Sequence, residues 1–286
     1  MALVIYWYDF ICFGIVAAAF VGSLWVLWKK EAASRCDEES VYESLLAARP
    51  DADGLVRATP RAHVGLSQLW TSCWIRVHPV WLVVTRFFSF AVLAGFLSWD
   101  IVEWDASIFV YYTEWTFTLV MVYFASHYAQ EEFQRRAGFW GYLMQTIYQT
   151  CGGAVILTDL VFWLVIVPFL SNSHLGLNML MGCMHTVNAV LLILDTLLNS
   201  LPFPLFRFAY FVLWSCVYVV FQWVIHACGF TWWPYPFLEL NTPWAPLWYF
   251  VLALVHIPCY GIYALIVKAK NSIFPRLFPH DFVRSY

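Results

Sequence analysis

The sequence predicts an all-α protein, a polytopic bundle of about seven transmembrane helices with the N-terminus outside or lumenal and the C-terminus cytosolic. The first observation is composition: of 286 residues, 62% are hydrophobic, 20% are aromatic and only 12% are charged, whereas soluble domains carry about 25% charged residues. The second is length, because several nearly uncharged runs exceed the roughly 18 residues that cross about 30 Å of hydrocarbon. The third is the distribution of Lys and Arg between the connecting segments.

Seven apolar segments form the predicted spans, in the order 10–28, 79–98, 109–126, 146–170, 178–198, 208–227 and 246–267. The first belongs to a signal-anchor segment, 1–28, and is not expected to be cleaved. It lacks a basic n-region and a small-residue cleavage site, and Lys29 and Lys30 follow it as a stop signal.

The connecting segments complete the predicted organisation. Residues 29–78 mix charges with Ala, Ser, Asp and Gly, which predicts a flexible cytosolic linker with a short helix near 38–48. The six-span membrane core then occupies 79–267, followed by a cytosolic tail, 268–286. The outer loop 231–244, "TWWPYPFLELNTPW", is typical either of an interfacial aromatic belt or of a lid over a lipid entry site.

Basic residues set the predicted orientation. In a seven-span arrangement, 14 of the 15 Lys and Arg residues fall on one face. They are Lys29, Lys30, Arg35, Arg49, Arg57, Arg61, Arg76, Arg135, Arg136, Arg207, Lys268, Lys270, Arg276 and Arg284. The opposite connections, near 99–108, 171–177 and 228–245, contain none, so the positive-inside rule makes the basic face cytosolic. The remaining residue, Arg86, lies inside span two, where we expect it to snorkel to the same face.

Cysteine spacing and net charge exclude several other classes. The eight cysteines show no CxxC spacing, so no disulfide framework, zinc ribbon or other cofactor site is expected. The net charge of −3 gives no reason to expect a nucleic-acid partner. The expected partners are membrane lipids, in the endoplasmic reticulum or the plasma membrane, and the oligomeric state is left open.

Span five carries the clearest polar pattern in the chain. Asn178, His185, Asn188, Asp195 and Asn199 recur at intervals of 7, 3, 7 and 4 residues, which places them along one narrow stripe of a helix. Lipid cannot satisfy such groups, so the stripe is expected to face other helices or a water-filled cavity.

Neighbouring spans offer partners for this stripe. Span three has Thr113 and Thr116 on one face and Glu114 and Thr118 on another, and span four has Gln149 and Asp159 on roughly one side. Span six carries a stripe of Ser215, Tyr218, Gln222 and His226, and span seven carries His256 beside three tyrosines.

Depth narrows the choice of partners. At a rise of about 1.5 Å per residue, Thr113 lies about 6 Å and His185 about 10 Å below the outer ends of their spans. His226 lies at the outer end of its own span, so these three can share one pocket in the outer leaflet. Asp159 and His256 are nearer mid-membrane, about 15 Å deep, and Asp195 belongs to the cytosolic half.

A threonine beside a neutral histidine is a nucleophile beside its general base. We therefore take Thr113 and His185 as candidate catalytic residues. Asn188, one turn from His185, is a candidate to orient the imidazole or to donate to an oxyanion, and Glu114 or Asp159 could do the orienting instead.

Plainer readings of the same residues stay open. A membrane histidine commonly just hydrogen-bonds a neighbouring helix, and a membrane threonine commonly bonds its own backbone. A metal site built from His185, His226 and His256 with Glu114 or Asp159 is weaker still, because no two of these histidines share ligand spacing on one helix.

Three blocks resemble the androgen-induced and androgen-dependent TFPI-regulating family of multi-pass membrane proteins. They are "YYTEWTFTLVMVYF" (111–124), "MHTVNAVLLILD" (184–195) and "QWVIHACGFTWWPYPFLE" (222–239). Together the resemblance covers about 109–267. Because Glu114 follows Thr113 where the family has an apolar or aromatic residue, and because the N-terminal region is long, the chain is most similar to a divergent branch like the rolling-stone proteins.

The resemblance implies a membrane-embedded threonine hydrolase of fatty acid esters of hydroxy fatty acids, with Thr113 and His185 essential. The sequence thus favours a lipid ester hydrolase. The alternative is a non-enzymatic membrane protein with a transport, fusion or scaffold role. A seven-span receptor is disfavoured, because "SHYAQEEF" stands after span three in place of Asp-Arg-Tyr and span seven has no Asn-Pro-x-x-Tyr.

Overall fold

The computed structural model describes residues 6–47, 72–126, 137–170 and 179–284. Within these ranges the chain is helical, and its β-pairing consists of two isolated bridges, Ser72 with Asn199 and Trp74 with Phe282. The described α-helices are α1 (Trp7–Ala47), α2 (Pro79–Trp104), α3 (Tyr112–Ala125), α4 (Ala137–Val161), α5 (Met179–Leu198), α6 (Phe208–Ala227) and α7 (Ala245–Leu277).

Six helical segments in the described ranges are long and apolar enough to cross a membrane. They are Trp7–Ala32, Pro79–Val110, Trp140–Phe169, Met179–Leu198, Leu205–Ala227 and Ala245–Leu277. Large hydrophobic side chains such as Trp81, Phe88 and Leu265 are more than half exposed on their surfaces, as lipid-facing residues are. These features indicate a multi-pass membrane protein.

The third predicted span, 109–126, contains a helix that falls outside this set of six. Helix α3 has 14 residues, which corresponds to about 21 Å at the helical rise, short of the roughly 30 Å hydrocarbon core. The residues before it form a 3₁₀ turn, Asp105–Val110. The seven-span count therefore remains a prediction, whereas the all-helical, membrane-type architecture is confirmed.

Two predicted boundaries differ from the structure. Helix α1 runs without a break from Trp7 to Ala47, where the sequence suggested a flexible linker from residue 29 with a separate short helix near 38–48. Its charged half contains Ala, Glu, Leu and Lys, which are strong helix formers and extend the span. Helix α7 likewise continues to Leu277, into the predicted tail. The remaining part of the linker, 48–71, lies outside the described residues.

Helix α4 is central, because it packs against α3, α5, α6 and α7. Two adjacent glycines permit this close approach. A Cβ atom on Gly152 would lie 2.7 Å from the ring of Tyr263, and one on Gly153 would lie 2.6 Å from the ring of Phe211. Small residues at helix contacts let membrane helices approach closely, and this increases their van der Waals contact.

An ion pair at the end of the bundle away from Thr113 corrects the prediction for Arg86. Its side chain is fully buried and does not snorkel. Arg86 Nε donates to Asp195 Oδ1 at 2.6 Å, and Tyr123 and Asn199 donate to Asp195 Oδ2 at 2.5 and 2.8 Å. The carboxylate attracts the guanidinium inward, because a paired buried charge costs far less than an unpaired one.

Candidate functional site

Thr113 is the second residue of α3, so its hydroxyl lies at the positive end of the helix dipole. The chain entering the helix is held from α6. Tyr218 OH and Gln222 Nε2 both donate to the carbonyl oxygen of Val110, at 2.8 and 2.6 Å. The polar stripe predicted on span six thus fixes the position of the turn that carries Thr113.

His185 lies between a hydroxyl and a carboxylate. Its Nε2 is 3.5 Å from Thr113 Oγ1, and its Nδ1 is 3.6 Å from Asp159 Oδ1. Both separations exceed the 2.6–3.2 Å typical of a proton-transfer contact, and such contacts commonly tighten when substrate binds. The proximity of Thr113 and His185 agrees with their predicted depths, whereas Asp159, expected nearer mid-membrane, is the carboxylate beside the imidazole in place of Glu114.

The imidazole plane is fixed by an aromatic face. The ring of Phe162 stacks on His185 with a centroid separation of 3.8 Å and an interplanar angle of 12°. Phe162 is one turn from Asp159 and begins a π-helical segment, Phe162–Leu170. Widened turns of this kind are frequent at functional sites, and here the first residue of one stacks on the histidine that Asp159 flanks from the preceding α-helix.

Thr113 and His185 border a cavity of about 90 Å³. Thr113, His185, Ser215 and His256 supply polar groups to it, and apolar side chains form most of the remaining wall. A mainly apolar enclosure with a few convergent polar groups is typical of a small-molecule site.

The aromatic loop that follows α6 covers this cavity. Tyr235, Phe237 and Leu238 all line it, which favours the lid interpretation of the loop over a purely interfacial belt. The backbone N–H of Tyr112 donates to Tyr235 OH at 3.2 Å. Burial raises the pKa of Tyr235, and the Glu114 carboxylate adds to this rise, whereas a hydrogen bond with the Thr113 side chain lowers it. Tyr235 therefore stays protonated near Thr113.

A second hydroxyl–imidazole pair lines the same cavity, and no sequence pattern indicates that its two members meet. Ser215 Oγ, on α6, is 2.8 Å from His256 Nε2, on α7. Tyr112 OH is also 2.8 Å from Ser215 Oγ. Each residue is polar within an apolar span. Their contact depends on which faces of α6 and α7 meet, and the residue pattern of a single helix does not determine this.

Two predicted supporting residues lie close in sequence to the Thr113 pair, but their side chains do not line its cavity. Asn188 is buried, and its Oδ1 accepts from the Ala189 backbone N–H at 2.6 Å. Glu114 is also buried, and its Oε2 has no hydrogen-bond partner among the described residues. The structure gives neither of them a contact with His185.

His226 serves the loop and does not contact the cavity. Its ring stacks on Trp233 at 3.6 Å, while Nδ1 and Nε2 lie 2.7 and 3.0 Å from the carbonyl oxygens of Gln222 and Trp232. Gln149, expected on the side of Asp159, instead donates to the Pro202 carbonyl oxygen at 2.7 Å.

Two further predictions concern the polar stripe and a metal site. Asn178 lies outside the described residues. Among the residues that the structure does describe, no three His, Cys, Asp or Glu side chains converge as a metal site would require. The three histidines of the metal hypothesis instead have separate partners, in Asp159, the loop and Ser215.

Thr113, His185 and Asp159 thus lie in the order hydroxyl, imidazole, carboxylate. No family model, curated protein or solved structure matches this chain. The proposed function therefore rests on the positions of these side chains and on the cavity beside them.

Proposed function

We propose that this chain is a multi-pass membrane enzyme that hydrolyses lipid esters, with Thr113 as nucleophile and His185 as general base. The observation that carries the proposal is the 3.5 Å approach of Thr113 Oγ1 to His185 Nε2 at the edge of a mainly apolar cavity. A threonine hydroxyl is a weak nucleophile unless an adjacent base removes its proton.

The reaction divides into two steps. Thr113 Oγ1 attacks the ester carbonyl carbon as its proton passes to His185 Nε2. The ester C–O bond then breaks, the alcohol leaves with that proton, and an acyl-threonine forms. Water next attacks the acyl carbon, gives its proton to His185, and releases the fatty acid while the proton returns to Thr113. Asp159 stabilises the imidazolium that forms in each step.

Oxyanion stabilisation is available from two sources. The N-terminus of α3 presents its positive dipole end at Thr113, and the protonated Tyr235 hydroxyl lies beside the same side chain. Fixed donors of this kind act strongly in a site that excludes water. Tyr235 belongs to the loop that covers the cavity, so in this scheme the position of the loop determines whether this donor reaches the oxyanion.

The resemblance of 111–124, 184–195 and 222–239 to the androgen-induced family supports the same chemistry. We propose membership of a divergent branch of that family, with seven spans, in the endoplasmic reticulum or plasma membrane. Fatty acid esters of hydroxy fatty acids are the substrate class that this relationship implies.

The test is hydrolysis by the purified full-length protein in nanodiscs. A panel of lipid esters would be assayed with wild type, Thr113→Ala, His185→Gln and, as a control on the other face of α3, Thr118→Ala. Loss of a general base costs about 10²–10⁴-fold in rate, so we expect that fall in kcat for the first two variants and little change for Thr118→Ala. Equal hydrolysis by wild type and Thr113→Ala would refute the Thr113 mechanism, and no hydrolysis of any ester by wild type would favour the non-enzymatic role.

A further inference from the structure

We infer that Ser215 and His256 form a second nucleophile–base pair, which accepts the acyl group of a long-chain ester. Neither residue lies in the three blocks that carry the resemblance, 111–124, 184–195 and 222–239, and the hydrolysis proposed for Thr113 does not require the pair. The inference rests on hydrogen-bond direction, on a second cavity and on the position of the pair between two cavities.

The hydrogen bonds of His256 leave its Nε2 free to accept the proton of Ser215. His256 Nδ1 lies 2.6 Å from the carbonyl oxygen of Leu252, which can only accept, so Nδ1 carries the proton. A neutral ring then has an unprotonated Nε2, which accepts from Ser215 Oγ at 2.8 Å. The ring is also packed against Phe211, at a centroid distance of 4.6 Å. The 2.8 Å contact between Ser215 Oγ and His256 Nε2 is shorter than the 3.5 Å between Thr113 Oγ1 and His185 Nε2.

Tyr112 completes a directed chain of hydroxyl groups. The Ser215 hydroxyl has two acceptors, His256 Nε2 at 2.8 Å and the Phe211 carbonyl oxygen of its own helix at 3.3 Å. With its proton toward either of them, the Tyr112 hydroxyl donates to Ser215 Oγ in their 2.8 Å contact. When Ser215 Oγ bonds to a carbonyl carbon, that donor is left beside the new oxyanion. A hydroxyl placed in this way is the kind of donor that stabilises a tetrahedral intermediate.

A larger apolar cavity supplies room for the acyl chain. It has a volume of about 520 Å³ and lies between α1, α6 and α7. Small side chains, among them Ala19, Gly22 and Ala253, widen it. Ser215 and His256 line both this cavity and the one that holds Thr113, so a chain lying in the larger cavity brings its carbonyl group to Ser215.

The reaction balances with water as the only co-reactant. Ser215 Oγ attacks the ester carbonyl carbon while its proton moves to His256 Nε2. The ester C–O bond breaks, the leaving alcohol takes that proton, and the acyl group remains on Ser215. Water then attacks the acyl carbon, its proton passes through His256 back to Ser215, and the fatty acid is released.

A decyl fluorophosphonate tests the pair directly. Ser215 Oγ would attack phosphorus and displace fluoride, leaving a stable adduct that peptide mass spectrometry locates on the purified full-length protein. We expect the adduct on Ser215 in wild type and equally in Thr113→Ala. His256→Gln should slow labelling at least about tenfold, whereas His280→Gln, in the exposed C-terminal segment, should not. Ser89→Ala, which removes a hydroxyl bonded to its own helix, is the matched serine control.

The dependence of Ser215 labelling on the alkyl-chain length of the probe is a second readout. A hydrogen bond with only a structural role would not produce such a dependence. Ala253 lines the larger cavity but not the cavity that holds Thr113, so Ala253→Trp fills the space proposed for the acyl chain. It should reduce decyl labelling of Ser215 severalfold while ethyl fluorophosphonate labels as in wild type. An adduct on Thr113 alone, no adduct at all in wild type, or labelling that is insensitive to His256→Gln would each overturn the inference. Adduct mapping also separates this outcome from failure of the Thr113 mechanism, which the hydrolysis assay measures.

Discussion

His185 lies between the Asp159 carboxylate and the Thr113 hydroxyl. This arrangement gives Asp159 the role of orienting the imidazole. The carboxylate lies 3.6 Å from Nδ1 and favours the tautomer whose Nε2 is free to accept from Thr113. Asp159→Asn keeps the shape but removes the charge that stabilises the imidazolium. We expect kcat to fall at least about tenfold, equivalent to about 1.4 kcal/mol of transition-state stabilisation, with KM little changed.

Asp100→Asn, a buried aspartate on α2 and not on the lining of the Thr113 cavity, is the matched control. Steady-state kinetics on one lipid ester would measure both variants. An Asp159→Asn enzyme with the wild-type kcat would show that the carboxylate does not assist His185.

Arg86 and Asp195 concern stability and not catalysis. Both side chains are almost completely buried and are joined at 2.6 Å. Arg86→Met leaves an unpaired carboxylate, and breaking a buried pair in this way typically costs about 3–5 kcal/mol. We expect a clear fall in the thermal midpoint, measured in the same detergent for each variant.

The double variant Arg86→Met, Asp195→Leu supplies the control. Replacing both charges by apolar side chains removes the unpaired charge, so it should recover most of the lost stability. A double variant no more stable than Arg86→Met would mean that the pair is not the source of the effect.

Single residues also mark where sequence reasoning succeeds and where it stops. Helical rise predicts similar depths for Thr113, His185 and His226; the first two do meet, whereas His226 contacts the loop. Depth does not pair Ser215 with His256, since their contact depends on how two helices rotate against each other. Arg86 is expected from the sequence to snorkel, because its partner is 109 residues away and is brought close only by the fold.

At the scale of helices, Gly152 and Gly153 allow α4 to pack closely against α7 and α6. Gly153→Ala would place a Cβ atom 2.6 Å from the ring of Phe211, and Phe211 in turn packs against His256. Overpacking of this kind costs about 1–3 kcal/mol. We expect a lower thermal midpoint and slower labelling at Ser215.

Gly95→Ala on α2 is the matched control, because a Cβ atom there meets no atom within 4 Å. Alanine is a better helix former than glycine by roughly 1 kcal/mol, so this variant should be neutral or slightly more stable. Equal midpoints for Gly153→Ala and wild type would show that α4 and α6 can separate without cost.

Helix boundaries were predicted less well than helix positions. Apolar runs located the membrane helices, since hydrocarbon length sets a strong pattern. Helix α1 nevertheless continues beyond Lys30, where charge stops the span but does not stop the helix. Helix α3 begins only at Tyr112 because the preceding residues form a 3₁₀ turn, whose start no apolar pattern marks.

For the whole molecule, the distribution of charge predicts orientation. Cys228 follows α6 on the loop that the charge distribution predicts to lie opposite the basic connections, and it is the only cysteine classed as exposed in the part of the chain whose side chains are described. In a chain whose only cysteine is Cys228, a membrane-impermeant maleimide should label sealed vesicles only from the face opposite the C-terminus. A single cysteine at Ser272 should label from the other face, and labelling of both from one face would reject the seven-span topology.

The central claim is that Thr113 carries the acyl group during lipid ester hydrolysis. The most direct measurement is an acid quench of the enzyme during turnover, followed by mass spectrometry of the peptide that contains Thr113. We predict an added acyl mass on Thr113, absent in Thr113→Ala and strongly reduced in His185→Gln. Continued turnover with no acyl group on Thr113, or with the acyl group on Ser215 alone, would contradict the account.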